Sequence, residues 1–343
     1  MEFKVPPAPH RLRRDSVRRI MLLVLLMLVP AAMAHVTAFG PGLLIQLTIA
    51  SCTALVAEAA MLRMSGQPRA LFLTDGSVVV AAVLLAFAVP PLAPWWLATG
   101  GTVFAIVVAK HLFGGLGRNL FNPAMAGYAL LLISFPAEMT RWPPPEGVAT
   151  VEISAVDTLT TILTGTPPAA TTWDAISSAT PLDAVRTGLR TGFTMQEIRA
   201  GAVFGSMGGR GSEWVSLAAL LGGAGLLALR IIRWQIPVAM LLSITLFAGL
   251  LHAMDPGDYP GVVFHLTTGA TLLCAFFIAC DPVTAATSDR GRLWFGAGIG
   301  ILTVAIRSWG HYPDGIAFAV LIMNLFVPLI DRFTVPRVYG HAR

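Results

Sequence analysis

Apolar stretches about as long as a bilayer is deep recur along almost the whole chain, and they leave few folds open to it. A helix needs about 20 residues to cross the hydrocarbon core, at about 1.5 Å of rise each over roughly 30 Å. Ten stretches are candidates by that measure, near 20–37, 41–62, 74–90, 93–110, 122–138, 214–231, 235–252, 261–280, 292–309 and 313–331. With 55% hydrophobic and 12% charged residues, the 343-residue chain has too little polar side chain to coat a soluble body. The expected fold is an all-α polytopic membrane protein with about ten transmembrane helices. The third and fifth stretches are short and open on Thr74-Asp75-Gly76 and on Asn122-Pro123, so broken or tilted helices are expected there.

Charge sets the expected orientation. Ala32-Met33-Ala34 resembles a signal-peptide cleavage site, but nine more apolar stretches follow. The first is therefore read as a retained span with its N-terminus in the cytoplasm. Alternating from there places 17 of the 23 Lys and Arg residues inside. Five of the others (Arg141, Arg186, Arg190, Arg199 and Arg210) share one long loop, where the bias does not operate, and only Arg307 falls in a short outer loop. The chain then divides into a basic cytoplasmic N-terminus (1–19), spans one to five (20–138), a long periplasmic loop (139–213), spans six to ten (214–331) and a cytoplasmic tail (332–343). The loop carries Trp142, Trp173, Phe193 and Phe204, too many aromatics for a plain linker. In this setting the net charge of +5 is a topology signal, and no nucleic-acid partner is expected.

The two halves echo one another. Thr74-Asp75-Gly76-Ser77 and Thr267-Thr268-Gly269-Ala270 are each followed by a proline, Pro90 or Pro282, and Asn122-Pro123 is matched by Tyr312-Pro313. Five spans per half would make a repeat inverted, with broken helices meeting near the midplane. That architecture also suits a rival reading, an inverted-repeat transporter or channel without a redox cofactor. Few polar groups interrupt the spans beyond Glu58 and Lys110, which argues against a proton pump working through this chain alone. His35, His111, His252, His265 and His311 sit singly at or near span ends, in no pairing suited to two haems, and read as interfacial residues. Cys52, Cys274 and Cys280 form no C-x-x-C pair, so neither an iron–sulfur cluster nor any other metal site is expected from this chain alone.

One segment carries a more specific signal, Asp174-Ala175-Ile176-Ser177-Ser178-Ala179-Thr180-Pro181. Its pattern Asp-x-x-Ser/Thr-x-Ala-Thr resembles the acceptor motif at which a flavin transferase joins FMN to a threonine hydroxyl through its phosphate. Ser177 fills the motif's hydroxyl position. Ser178 and Ala179 are small enough for an enzyme to close around the site, Asp174 offers a recognition charge, and Thr180 supplies the nucleophilic oxygen. The same residues also read as a helix start, with Thr180 before Pro181 and Asp183 in the first turn. The pattern recurs at Asp281–Thr287, and Thr268-Gly269-Ala270-Thr271 is a lookalike without the acid. Thr287 falls on the cytoplasmic side of the expected topology, whereas transferases of this kind resemble outer-face enzymes, so Thr180 is the favoured acceptor.

Beyond the loop, Thr74-Asp75-Gly76-Ser77, Gly114–Met125, Ala275–Thr284 and Arg307–Gly315 resemble the D subunit of the Rnf electron-transport complex. The likeness covers roughly residues 70–340 and extends more distantly to the B subunit of the sodium-pumping NADH:quinone oxidoreductase. The resemblance implies FMN phosphoester-linked to Thr180 by a periplasmic flavin transferase. It implies a six-subunit complex in the bacterial inner membrane, with a second flavin subunit and iron–sulfur subunits. It implies electron relay between ferredoxin and NAD coupled to sodium or proton movement, this chain being an electron-transfer subunit and not catalytic alone. It also implies a riboflavin held without a covalent bond. Arg118, Asn119, Asn122 and Asp281, at two helix breaks, are the expected flavin surroundings, because interrupted helices expose backbone groups at membrane depth.

Overall fold

The computed structural model describes residues 16–68, 72–115, 117–151, 153–169, 171–312 and 314–334. The basic residues of 1–15, Arg69, Pro313 and the tail from 335 onward lie outside the described residues. Regular structure among the described residues is helical, extended pairing being confined to two isolated bridges. The first half holds α1 (Val17–Phe39), α2 (Gly42–Met64), α3 (Ser77–Ala88), α4 (Trp95–Val103, continued by a π-helical stretch Phe104–His111) and α5 (Pro123–Ser134). Short helices follow: α6 (Pro136–Met139), α7 (Ala155–Thr164), α8 (Trp173–Ile176), α9 (Pro181–Arg190) and α10 (Met195–Arg199). The second half holds α11 (Ser212–Ala228), α12 (Gln235–Met254), α13 (Val262–Thr267), α14 (Thr271–Leu273, continued by a π-helical stretch Cys274–Ile278), α15 (Asp289–Trp309) and α16 (Ile316–Thr334).

Helices occupy all ten of the predicted stretches. Four of them, α1, α2, α12 and α16, are long and apolar enough by themselves to cross a membrane, and α3, α5 and α11 are shorter apolar helices. Local chemistry sets several of the starts. Ser16 and Ser288 cap α1 and α15, and Asn122 caps α5 with Pro123 at the first helical position. On α1, Leu22, Leu26 and Met33 are exposed while Leu28, Ala31 and His35 are buried, as expected of a helix with one face to lipid and one to protein.

The second helix of each half packs on the fourth, α2 on α4 and α12 on α15, while α1 meets α11 and α5 meets α16 across the halves. Small residues permit these approaches. A Cβ at Gly222 of α11 would collide with the Met27 carbonyl of α1, and one at Gly300 of α15 would lie 2.5 Å from the Met240 carbonyl of α12. One hydrophobic core runs through both halves. A smaller one, built on Leu182, Val185, Met195, Phe204 and Phe264, fastens the 181–204 segment to α13.

The eighth stretch, expected as a single helix over 261–280, is broken at Thr268-Gly269-Ala270. Gly269 adopts φ +67°, a region that residues with a Cβ rarely enter, and a Cβ there would meet Asp314 and Arg307. The carbonyls freed by the break are not left bare. The Thr271 hydroxyl donates to His265 O at 2.7 Å, and the Arg307 guanidinium donates to His265 O at 2.9 Å and Thr268 O at 3.2 Å. Before α3 the corresponding glycine, Gly76, has φ +80°, and Asp75 Oδ1 accepts the Ser77 amide at 2.8 Å.

Candidate functional site

The described residues of the segment between α5 and α11 meet the bundle at the end of α1, where the Glu146 amide donates to the Ala38 carbonyl at 2.8 Å. The Ser178 amide donates to the Trp142 carbonyl at 2.8 Å, the Ser177 hydroxyl donates to the Trp173 carbonyl at 2.7 Å, and the Arg141 guanidinium lies 4.8 Å above the Trp173 ring. These contacts fix the segment that ends in Thr180. That residue is extended (φ −66°, ψ 158°) and is the N-cap of α9, with Pro181 next. Its hydroxyl accepts the Asp183 amide at 3.2 Å and donates to Asp183 Oδ2 at 2.8 Å. Helix start and acceptor motif therefore coincide on one oxygen. Asp174 and Ala179 are exposed, while Ser177, Ser178 and Thr180 are half-buried. Burial pushes the Asp183 carboxyl above the usual carboxylate range, an effect that the hydrogen bonds from Thr180 oppose only in part.

Thr180 lies on the wall of a cavity of about 200 Å³ between the two halves. The cavity is lined by His35 and Phe39 of α1, Phe87 of α3, Met125 and Tyr128 of α5, Trp142, Ser178 to Asp183, the Thr268–Ala270 break, and Asp314. Most of this surface is aromatic or aliphatic, the composition of a site for a flat organic ligand. Two groups suit an anion at the Thr180 end. Arg210, exposed, lines the cavity, and the N-terminus of α9 begins at Thr180 itself. Below, Asp314 accepts the Ala270 amide at 3.1 Å and pairs with Arg307 at 3.0 Å, which ties the broken stretch to the start of α16.

The other predicted flavin surroundings are not part of this lining. Arg118 is exposed, and Asn119 is buried with its amide donated to Phe121 O at 3.1 Å. Asn122 comes nearest. It lies one turn from Met125 and donates at 3.4 Å to the carbonyl of Ile278, both of which line the cavity. Its amide also donates to Asn324 Oδ1 at 3.1 Å, and Asn324 Nδ2 donates to Thr284 O at 3.0 Å. Asp281 turns onto its own loop, accepting the Val283 amide and the Thr284 hydroxyl at 3.1 Å each. The second motif is separated from the cavity too. Thr287 donates to Asp331 at 3.0 Å, at the end of α15 away from Arg307, and a 21-residue helix is about 30 Å long. In the lookalike, the threonine at the acceptor position, Thr271, is fully buried with its hydroxyl donated to His265 O.

Sequence reasoning missed several of these residues. Arg307 left one trace, as the lone basic residue assigned to a short outer loop; the structure places it instead in the last turn of α15, where its guanidinium serves the broken stretch and Asp314. Glu58 and Lys110 pair at 2.8 Å, and His111 takes the other Glu58 oxygen at 2.8 Å. His252 Nδ1 lies 2.8 Å from Tyr259 O. The expectation of interfacial histidines fails at His35 and His265, which are 4% and 3% exposed; neither nitrogen of His35 nor Nδ1 of His265 has a partner. Nothing in their local sequence marks them as buried.

Comparison with known proteins finds relatives along the whole chain. A family model described as the NQR2, RnfD, RnfE family matches residues 4–340. The chain is 47% identical, over the full length of both proteins, to a protein of Escherichia fergusonii named as the D subunit of an ion-translocating oxidoreductase complex. Proteins of the same name from Erwinia tasmaniensis and Aliivibrio salmonicida are 49% and 46% identical over all of this chain and 99% and 100% of theirs. The chain belongs to the NQR2, RnfD, RnfE family.

Proposed function

We propose that this chain is the D-type subunit of an ion-translocating oxidoreductase complex and that it carries FMN phosphoester-linked to Thr180. The observation that carries the reading is the position of Thr180, its hydroxyl at a helix N-terminus on the wall of an apolar cavity that both halves build. A phosphate esterified there would lie at the positive end of α9 with Arg210 beside it, and a flat ring would have Phe39, Phe87 and Trp142 for walls. A flavin supplies the ability to take up and release electrons singly or in pairs. The chain supplies the tether, which replaces a dissociation constant with a fixed local concentration, and the apolar walls, which keep water away.

In this reading the ten helical stretches form ten spans in two inverted repeats, with the N-terminus and tail in the cytoplasm of a bacterial inner membrane and 139–213 in the periplasm. The matching pairs α2 on α4 and α12 on α15, the cross-pairs α1 with α11 and α5 with α16, and the positive φ at Gly76 and Gly269 support that arrangement. The relatives' names support membership of a complex. Its other members would include a second flavin subunit and iron–sulfur subunits, with electrons passing between ferredoxin and NAD. A separate riboflavin is assigned no seat.

The test is Thr180→Ala in cells that contain the flavin transferase. Wild-type protein is expected to give a flavin-fluorescent band in a denaturing gel and a modified Thr180 peptide by mass spectrometry, and the variant neither. A fluorescent Thr180→Ala band would overturn the assignment, and a colourless wild-type protein would favour a carrier or channel.

A further inference from the structure

We propose that His35 is the polar contact of the flavin ring in this cavity, an inference that rests on Thr180 being the flavin's tether. His35 lies on α1 within an aromatic cluster, its ring centroid 5.0 Å from Phe39, 6.1 Å from Phe87 and 6.4 Å from Trp142. It lines the same cavity as Thr180, is 4% exposed, and has a hydrogen-bond partner at neither ring nitrogen. A neutral imidazole always carries one donor and one acceptor, and a buried polar group left unpaired is costly. A purely packing role among Phe39, Phe87 and Trp142 would be filled better by another apolar ring.

The cavity's two carboxylates are already engaged. Asp183 is bonded to Thr180, and Asp314 to Arg307 and the Ala270 amide. Thr268 Oγ1, also without a partner, is packed against Gly208. His35 is thus a buried side chain of the cavity's aromatic wall with both a donor and an acceptor unused. An isoalloxazine has the matching chemistry: an apolar dimethylbenzene end, suited to aromatic walls, and a pyrimidine edge that alternates acceptors with an N–H donor. His35 therefore touches the cofactor and biases its redox equilibrium, because a hydrogen bond to that edge does not stabilise the oxidised and reduced rings equally.

The experiment uses the complex purified from cells that contain the flavin transferase, with His35→Phe, His35→Gln and, as an apolar-wall control, Phe87→Leu. All are expected to keep covalent flavin in a denaturing gel, since Thr180 is untouched. In a redox titration followed by flavin absorbance, the reduced-to-oxidised ratio at a fixed applied potential should change about tenfold in His35→Phe, the scale of one buried hydrogen bond. His35→Gln, which keeps a donor and an acceptor, should recover most of the change, and Phe87→Leu should alter it less than His35→Phe does. If His35→Phe fails to accumulate, His35→Leu carries the same expectation. A ratio within twofold of wild type in the apolar variant, with flavin retained, overturns the role of His35 and leaves the tether standing. Wild-type protein without covalent flavin overturns both.

Discussion

The Thr180 hydroxyl donates to the Asp183 carboxylate at 2.8 Å and accepts the Asp183 amide at 3.2 Å, so the proposed flavin acceptor is at the same time the cap of the helix that follows it. Modification and local stability are thereby coupled through one oxygen. Thr180→Ser keeps both the cap and the nucleophile and should still take up flavin. Thr180→Val should lose flavin and, independently, about 1 kcal/mol of local stability. Hydrogen exchange of the α9 amides in protein without flavin separates the two losses.

Asp183 gives this segment a pH dependence whose sign follows from burial. Its carboxyl titrates above the ordinary range when folded, so between the unfolded and folded values the folded chain holds more proton. The Asp183 contribution to stability is therefore greatest below the unfolded value and declines as pH rises through the folded one. Limited proteolysis of the 139–211 segment should speed up across that window in wild type, and Asp183→Asn should flatten that part of the profile. An equally steep profile in the variant would assign the slope to another group.

Arg307 has its side chain 2% exposed and bonds two carbonyls of the broken eighth stretch as well as Asp314. Arg307→Met leaves a largely buried carboxylate and two carbonyls without donors, and should cost about 3–5 kcal/mol. Arg307→Lys should recover little, since a single ammonium cannot reproduce the guanidinium fork. Thermal unfolding in detergent, followed by aggregation or by thiol labelling of buried Cys274, reads the difference.

Glu58 and Lys110, on α2 and the π-helical end of α4, form a buried pair that also engages His111. Removing either partner alone should destabilise, by about 3–5 kcal/mol in Glu58→Leu, which leaves the Lys110 charge buried without a counter-charge, and by less in Lys110→Met, where Glu58 keeps His111. The double variant should lose less than the sum of the singles, and a double-mutant cycle in thermal unfolding measures that coupling. Strict additivity would show that the two side chains stabilise the protein independently.

Much of the candidate site was legible because its signals are local. A cap, a proline at the first helical position and an acid one turn on are adjacent in sequence, so Thr180 could be placed at a helix start without knowing what surrounds it. Gly76 announced its break by the same kind of short pattern, whereas the break at Gly269 fell inside a stretch expected as one helix. Arg118, Asn119 and Asp281 show the reverse. As polar residues at helix breaks they looked like ligand groups, yet Asn119 and Asp281 satisfy their own loops and Arg118 is exposed. A broken helix must spend polar side chains on its freed backbone before any remain for a ligand.

The amino-acid sequence by itself determined which stretches are apolar and helical and which hydroxyl could serve as an acceptor, since hydropathy and capping depend on neighbours within a few residues. Only the tertiary structure decided that His35, Trp142, Thr180 and Asp314 share one cavity, that Glu58 pairs with Lys110, and that Arg307 supports a break about forty residues before it. The physical reason is that hydropathy assigns a helix to the bilayer but not the neighbour its polar side chains will meet. That choice is made where glycines such as Gly222 and Gly300 let backbones approach and where buried polar groups must find partners on other helices.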